Sequence, residues 1–345
     1  MGNGIQRIER RVKLHDLRVL MSVVERGSMA KAAESLATSQ PAVSRSIADL
    51  EFSLGVRLLD RGARGVAPTP YGRALIRRGI AIFDELKQSV QDIEFLADPT
   101  AGEVRIAAPM GWGVGFVATV IDRLARRYPR VVHHLTISAS PALVLEQRQV
   151  DLVVTRGFAI PPAEDHLQGE FLFADSIFVI AGIKNPWARR HRIKLADLIN
   201  EPWAVPPPDN PAHRLLTDVF RAMGLELPRP AMVTATGIAR IALVAKGHFL
   251  SMASESVLRF GGWERSIKVL PIDLAANGGV VGIITLKNRT LTPVAQLFNS
   301  MYNLGVLYER GIGVTADPVR AKAWYQRAAA HNHPEARAAL KRLGA

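Results

Sequence analysis

The sequence predicts a multidomain α/β protein, and three observations lead there. Apolar residues recur at helical spacing over residues 17–54, with only a short turn between two of the helices. Short apolar runs alternate with amphipathic stretches between residues 99 and 291, and an Ala-rich helical pattern follows Pro293. At roughly 150 residues per domain, the 345 residues make two or three domains. Composition shifts at Arg64 to Pro70, Asp98 to Gly102 and Leu291 to Pro293 divide the chain into segments 12–70, 71–98, 99–300 and 301–345.

The first helix carries Leu17, Leu20, Met21 and Val24 on one stripe, and Gly27 can end it. Ser28 suits the N-cap of a second helix, in which Met29, Ala32, Ala33 and Leu36 repeat the spacing; its alanines are small enough for a close crossing. After the turn Ala37 to Ser39, Pro41 fits the first turn of a third helix that buries Val43, Ile47, Leu50 and Leu54. Its other face presents Gln40, Pro41, Ser44, Arg45 and Ala48. Such a small polar face suits a DNA major groove, where Gln and Arg can pair with base edges, or it is the solvated face of an ordinary three-helix unit.

Next come Asp60 to Val66 and Pro68 to Pro70, where glycines flank arginine. This suits a hairpin wing whose Arg61 and Arg64 either reach phosphates or a narrow minor groove or decorate a charged surface. From Tyr71 to Ala97, Ile76, Ile80, Phe83, Val90 and Ala97 recur at helical intervals. A single helix of that length, about 40 Å, is expected to pack against a second copy and so to place two reading helices on two half-sites.

In segment 99–300, Val104 to Ala108, Val132 to Ile137, Asp151 to Thr155, Phe171 to Ala181 and Val280 to Leu286 read as strands. Val117 to Arg127, Pro211 to Met223 and Ile238 to Ala245 read as helices. The alternation predicts an α/β domain with a largely parallel sheet.

Composition narrows the function. With no cysteine, disulfides, Cys-ligated zinc, iron–sulfur clusters and thiol nucleophiles drop out. The Arg-rich start has no apolar core behind it, and no apolar run approaches a membrane span; the expectation is a cytoplasmic protein with no membrane contact. Lys and Arg exceed Asp and Glu, 44 to 31, yet the excess is spread as +3, +6 and +4 over residues 1–98, 99–300 and 301–345. Basicity alone is therefore weak evidence for nucleic acid. G-x-S-x-G, H-E-x-x-H and Walker sequences are absent, and His133 and His134 fall on alternate faces of a strand. The chain is expected to be neither an enzyme nor the holder of a metal or cofactor.

The N-terminal residues resemble the LysR-type transcriptional regulators. The resemblance rests on Asp16 to Arg18, Gly27 and Ser28, Lys31 to Ala33, Leu36, Ser39 to Arg45, Ile47, Leu50 and Glu51, Leu54 to Leu58, Arg64 to Val66, Thr69 and Gly72, and continues more loosely to about residue 298. It implies a winged helix-turn-helix, a dimerising linker helix and a two-lobed periplasmic-binding-protein-like α/β effector domain. By that resemblance Gln40, Pro41, Ser44 and Arg45 face DNA, with Arg64 in the wing; Ser39 and Arg61 beside them complete the expected DNA-binding set.

The turn Pro109 to Gly115 lacks the third glycine of a dinucleotide fingerprint, because position 116 is Phe116. It still borders the inducer cleft in the family, which places Met110, Gly111 and Trp112 there, although relatives usually carry a hydroxyl residue at this point. Ser138, with Ser140 as helper, matches the second cleft element. Arg156 either pairs with a ligand carboxylate or makes a structural salt bridge. Trp203 to Pro208, with Pro206, and Thr236 with Gly237 fit the opposing wall. A small organic effector of unread identity is expected between the lobes.

Beyond Thr292 the chain runs further than relatives usually do. Tyr302, Leu304, Gly305, Tyr308, Gly311, Gly313, Asp317, Ala321, Trp324, Tyr325 and Ala328 resemble one Sel1-like repeat, and 335–343 the start of another. A lone α-helical repeat cannot bury its own faces, so it should dock on the effector domain, a dimer mate or another protein. The expected function is a sequence-specific bacterial transcription regulator, a homodimer or homotetramer on an interrupted inverted repeat of double-stranded DNA, with RNA polymerase as an open further partner. The alternative is a protein-interaction scaffold acting through the C-terminal helices.

Overall fold

The computed structural model describes residues 12–62, 65–156, 166–263, 265–274, 279–298, 305, 308, 309, 316–330 and 336–344. The chain forms two compact units, Met1–Val90 and Gln91–Ala345.

In the first unit, α1 (Leu14–Arg26), α2 (Met29–Ser35) and α3 (Gln40–Leu54) precede the antiparallel hairpin of β1 (Leu59–Gly62) and β2 (Gly65–Pro68), and α4 (Pro70–Ala97) follows. Gly27 and Gly55 end α1 and α3 in the left-handed conformation, where glycine carries no Cβ penalty. The core joins Val19, Leu20 and Val23 of α1, Met29, Ala32 and Ala33 of α2, and Val43, Ile47 and Leu50 of α3. Val19 and Val23 are buried while Met21 and Val24 are half-buried, so the covered arc of α1 is turned from the expected stripe. The stripe expected on α4 also divides: Ile76 packs on this core and Phe83 lies under the Arg18 guanidinium, 4.6 Å from its ring centre. Ile82, Leu86, Val90, Ile93 and Leu96 are left exposed along α4, with Tyr71 exposed at its start.

The second unit holds two sheets. Lobe I contains β3 (Ala101–Ala108), α5 (Met110–Trp112), a π turn at Gly113–Val117, α6 (Ala118–Arg127), β4 (Arg130–Ile137), α7 (Pro141–Glu146), β5 (Leu152–Arg156) and β6 (Leu167–Asp175). Lobe II contains β7 (Ile177–Gly182), β8 (Trp203–Val205), α8 (Pro211–Ala222), β9 (Pro230–Val233), α9 (Gly237–Ala245), β10 (Leu250–Ser254), α10 (Glu255–Phe260) and β11 (Ile267–Val269). Then β12 (Gly279–Leu286) returns to lobe I, and α11 (Pro293–Phe298), α12 (Pro318–Ala330) and α13 (Ala336–Arg342) follow. Strand orders are β4-β3-β5-β12-β6 and β11-β7-β10-β8-β9.

Two expectations change here. The run Phe171 to Ala181 is not one strand: it breaks at Ser176, and its halves belong to different sheets. An apolar run has no local mark for a change of sheet, because both halves are buried strand. The sheets are also mixed rather than largely parallel. β3 pairs parallel with β4 and β5, and β8 with β9 and β10, while β12 and β7 each run antiparallel to both neighbours. The first strand after each crossover, β7 or β12, is the one that reverses direction.

The C-terminal helices dock on lobe I of their own chain. Tyr308, Ala321, Trp324, Tyr325 and Ala339 share one core with Val104, Ile106, Phe116 and Leu172. Tyr308 Oη donates to the Leu172 carbonyl on β6 at 3.1 Å, and Arg342 pairs with Glu309 at 2.8 Å.

Candidate DNA-reading face and effector cleft

The reading face is built on α3. Ser39 occupies its N-cap, and its Oγ accepts the Ala42 N–H at 3.3 Å, satisfying one of the free donors of the first turn. Pro41 sits in that turn. Because Val43, Ile47 and Leu50 point into the core, Gln40, Pro41, Arg45 and Ala48 are exposed and Ser44 half-exposed. Ala37, in the turn before Ser39, has a positive φ of 51°, an uncommon conformation for a residue with a Cβ.

The hairpin is fixed to these helices at two places. Glu51 Oε1 accepts the Leu58 and Leu59 N–H groups at 2.6 and 3.2 Å, and Val66 N–H donates to the Gly27 carbonyl at 3.1 Å. Gly65 has a φ of 109°, and a Cβ there would stand 2.8 Å from the Gly27 oxygen, so glycine is required. Arg61 is exposed on β1; Arg64 lies outside the described residues. Thr69, buried behind the hairpin, donates to the Arg57 carbonyl and accepts the Gly72 N–H, starting α4.

In the second unit Gly111 and Gly113 serve packing. A Cβ on Gly111 would meet Val257 Cγ2 of lobe II at 2.9 Å, and one on Gly113 would strike the Ile137 side chain. Gly111 therefore lets the lobes touch. Trp112 Nε1 donates across the same contact to Ser256 Oγ at 3.1 Å, and α5 packs against α9 and α10. Ser138 follows β4, where its N–H donates to the Ala108 carbonyl and its Oγ accepts the Ser140 N–H at 3.1 Å; Ser140 is exposed. On lobe II, Pro206 is buried behind β8 and its carbonyl faces His213 Nδ1 at 2.8 Å. Thr236 and Gly237 begin α9 without a side-chain cap.

Arg156 has an internal partner. Its Nη2 donates to the Asp175 carbonyl at 2.5 Å and Nη1 stands 3.9 Å from the Asp175 carboxylate. Burial lowers its pKa, and Asp175 opposes the shift. Asp175 also accepts the Ser256 N–H and Oγ–H at 3.0 and 2.8 Å. Trp112, Ser256, Asp175 and Arg156 thus form one polar chain beside the β6–β7 crossover. A cavity of about 370 Å³ opens there between Asp175, Glu255, Tyr308 and Arg320, and none of the residues expected at the effector site lines it.

Sequence reasoning missed Ser256, Asp175 and Arg240. Arg240 is 8% exposed on α9; its Nη1 donates to the Thr234 carbonyl at 3.0 Å, and its buried Nε has no partner among the described residues. Burial lowers its pKa with nothing opposing. The available signal was one charged residue within the apolar run Gly237–Ala245. Among the described residues no cluster of His, Cys, Asp and Glu could hold a metal ion, and no helix is long and apolar enough to cross a membrane.

Comparison with known proteins agrees with this geometry. Residues 14–73 match the bacterial regulatory helix-turn-helix protein model of the lysR family, 97–302 the LysR substrate binding domain and 299–333 the Sel1 repeat. The SDS degradation transcriptional activation protein of Pseudomonas sp. (strain ATCC 19151) is 31% identical over 301 residues, covering 84% of this chain and 94% of the relative. The HTH-type transcriptional regulator GbpR of Azospirillum brasilense is 28% identical over 295 residues, 84% and 85% of the two chains. Full-length CbnR complexed with its target DNA superposes with a TM-score of 0.60 at 22% identity, over 84% of this chain and 98% of that one. The chain belongs to the LysR family of transcriptional regulators. It is a DNA-binding regulator with an effector-binding domain and is not an enzyme. Nothing in these comparisons supports the scaffold alternative.

Proposed function

We propose that this regulator reads an interrupted inverted repeat as a homodimer or homotetramer in the cytoplasm, and that a small organic effector held between the lobes shifts its DNA-bound arrangement. The observation that carries the reading is the polar face of α3: Gln40, Pro41 and Arg45 exposed opposite buried Val43, Ile47 and Leu50. Ser39, Gln40, Pro41, Ser44 and Arg45 supply base and phosphate contacts, and Arg61 and Arg64 supply wing contacts. The exposed Ile82, Leu86 and Val90 of α4, spaced by four, offer a second copy its apolar stripe.

The effector set is Met110, Gly111, Trp112, Ser138, Ser140, Pro206, Thr236 and Gly237, with Arg156 behind them at the crossover. RNA polymerase is the further partner through which activation would proceed.

A footprint on the DNA upstream of the protein's own gene, at two salt concentrations and beside Arg45→Ala, tests the DNA reading. The expected result is a protected inverted repeat that survives the higher salt. Arg45→Ala should cost about 1–3 kcal/mol at the specific site and less on random DNA. Diffuse protection that vanishes with salt would make the N-terminal unit a non-specific anchor.

A further inference from the structure

Resting on the reading of the cleft as the effector site, we propose that Arg240 and the first turn of α9 form an oxyanion seat, and that the effector is a small organic carboxylate with an apolar body.

Arg240 is the one charged side chain of a nine-residue helix, Gly237–Ala245, and it is more than nine-tenths buried. A guanidinium has five N–H donors. Here one goes to the Thr234 carbonyl, and buried Nε has no acceptor. Burial lowers its pKa, and among the described residues no acidic group acts against that shift. A buried charge without a counter-charge costs stability. What satisfies it is an anion able to accept two parallel N–H bonds, as a carboxylate does.

The local backbone is set up for the same charge. Arginine on a helix leans toward the N-terminus, and Nη2 lies 3.7 Å from where a Cβ on Gly237 would be. The guanidinium therefore sits over the first turn of α9. No side chain caps that turn, so its free N–H groups and the positive end of the helix dipole face the same place. Gly237 contributes no side chain to block an entering anion.

The surroundings select the rest of the ligand. Met110 after β3, Ile137 at the end of β4 and Val233 at the end of β9 are 39%, 41% and 50% exposed. These apolar groups at strand ends of both lobes suit a hydrocarbon body rather than a bare inorganic anion. Because α9 packs against α5 of lobe I, a carboxylate at Arg240 acts where the lobes meet. It also supplies a polar anchor on lobe II where lobe I presents Met110, Gly111 and Trp112 instead of hydroxyls.

Thermal unfolding of the full-length protein at constant ionic strength tests this with hexanoate, acetate, inorganic phosphate and hexanol as probes, on wild type, Arg240→Met and Arg240→Lys. Hexanoate should raise Tm more than acetate or phosphate, and hexanol should give no shift. Arg240→Met should lose the hexanoate shift while its ligand-free Tm equals or exceeds that of wild type. Arg240→Lys should keep a shift that needs about tenfold more hexanoate, since an ammonium cannot bind in the bidentate way. An equal hexanoate shift in Arg240→Met, no shift in wild type, or a larger shift with phosphate would each overturn the proposal. Footprinting with and without hexanoate separates the two readings: an Arg240-dependent Tm shift with unchanged protection keeps the seat and removes the regulatory role of the cleft.

Discussion

Lobe I and lobe II treat buried charge differently. In lobe I, Asp151 and Arg289 pair at 2.9 Å with side chains 9% and 5% exposed, and Asp151 also accepts the Arg105 N–H. Arg156 is likewise tied to Asp175. In lobe II, Arg240 is buried to a similar degree with one carbonyl for a partner. The fold therefore has the means to neutralise an internal charge and, among the described residues, leaves one un-neutralised at the start of α9. A paired charge belongs to the architecture, whereas a lone one beside an uncapped helix end marks where something else binds.

The largest effect expected from this contrast is the cost of removing Arg289. Arg289→Met leaves Asp151 buried without its cation and should lose about 3–5 kcal/mol in denaturant unfolding near neutral pH, whereas Arg240→Met should lose nothing. Burial raises the Asp151 pKa above the ordinary carboxylate value, and the Arg105 N–H and Arg289 only moderate the shift. A carboxyl raised in this way favours the fold most below its unfolded pKa, and that contribution disappears as pH rises through the folded value. The Arg289→Met loss should therefore be smaller at about pH 5 than at about pH 8. Equal losses from Arg289→Met and Arg240→Met would break the comparison.

The lobes differ also in what completes their cores. Lobe II packs Trp203 against Phe220, ring centres 5.4 Å apart, among residues 179–274. Lobe I takes Tyr308, Trp324 and Tyr325 from the C-terminal helices. Tyr308→Phe keeps the ring and removes the hydroxyl that donates to the Leu172 carbonyl and meets the Arg320 side chain, a loss of about 0.5–1.5 kcal/mol. Amide exchange should quicken in β6 and stay unchanged in β8 and β10; a uniform change across both lobes would mean that the C-terminal helices do not act on lobe I alone.

How far the sequence could be read follows the range of the interactions. The first unit was legible because its helices are defined by spacing and by local signals such as Gly27, Ser39, Pro41 and Gly55. Even there Ser28, a good N-cap by type, makes no side-chain cap bond. The glycines at 111 and 113 were visible, but what they touch, Val257 and Ile137, is far away in sequence. The break at Ser176 was hidden inside a continuous apolar run, and so was the Asp175–Ser256 link that spans it. Docking of the last helices was expected on some surface; that it is lobe I depends on Tyr308 meeting Leu172, 136 residues earlier. Arg240 stood in plain view, yet its lack of a charged partner among the described residues is a property of the folded state.

Lobe I has a third way of handling a titratable group, which is to keep it neutral. His133 pairs in register with Val104 on β3 and is half-buried, while His134, its neighbour on the opposite face, is exposed beside Glu103 at 3.3 Å. Burial lowers the His133 pKa, and the backbone of Val131 only partly offsets it. A depressed histidine pKa contributes stability that is present above the unfolded value and is lost as pH falls through the folded one. Protonation in the unfolded chain thus draws the equilibrium away from the fold below the ordinary histidine range. His133→Gln removes that linkage, so its stability should fall less steeply than wild type between about pH 7 and about pH 5. The change is the smallest of the series, since one half-buried ring carries it. Identical slopes for variant and wild type would show that burial on the outer strand β4 is too shallow to hold a group neutral, and would confine the lobe's control of buried charge to the Asp151–Arg289 and Arg156–Asp175 pairs.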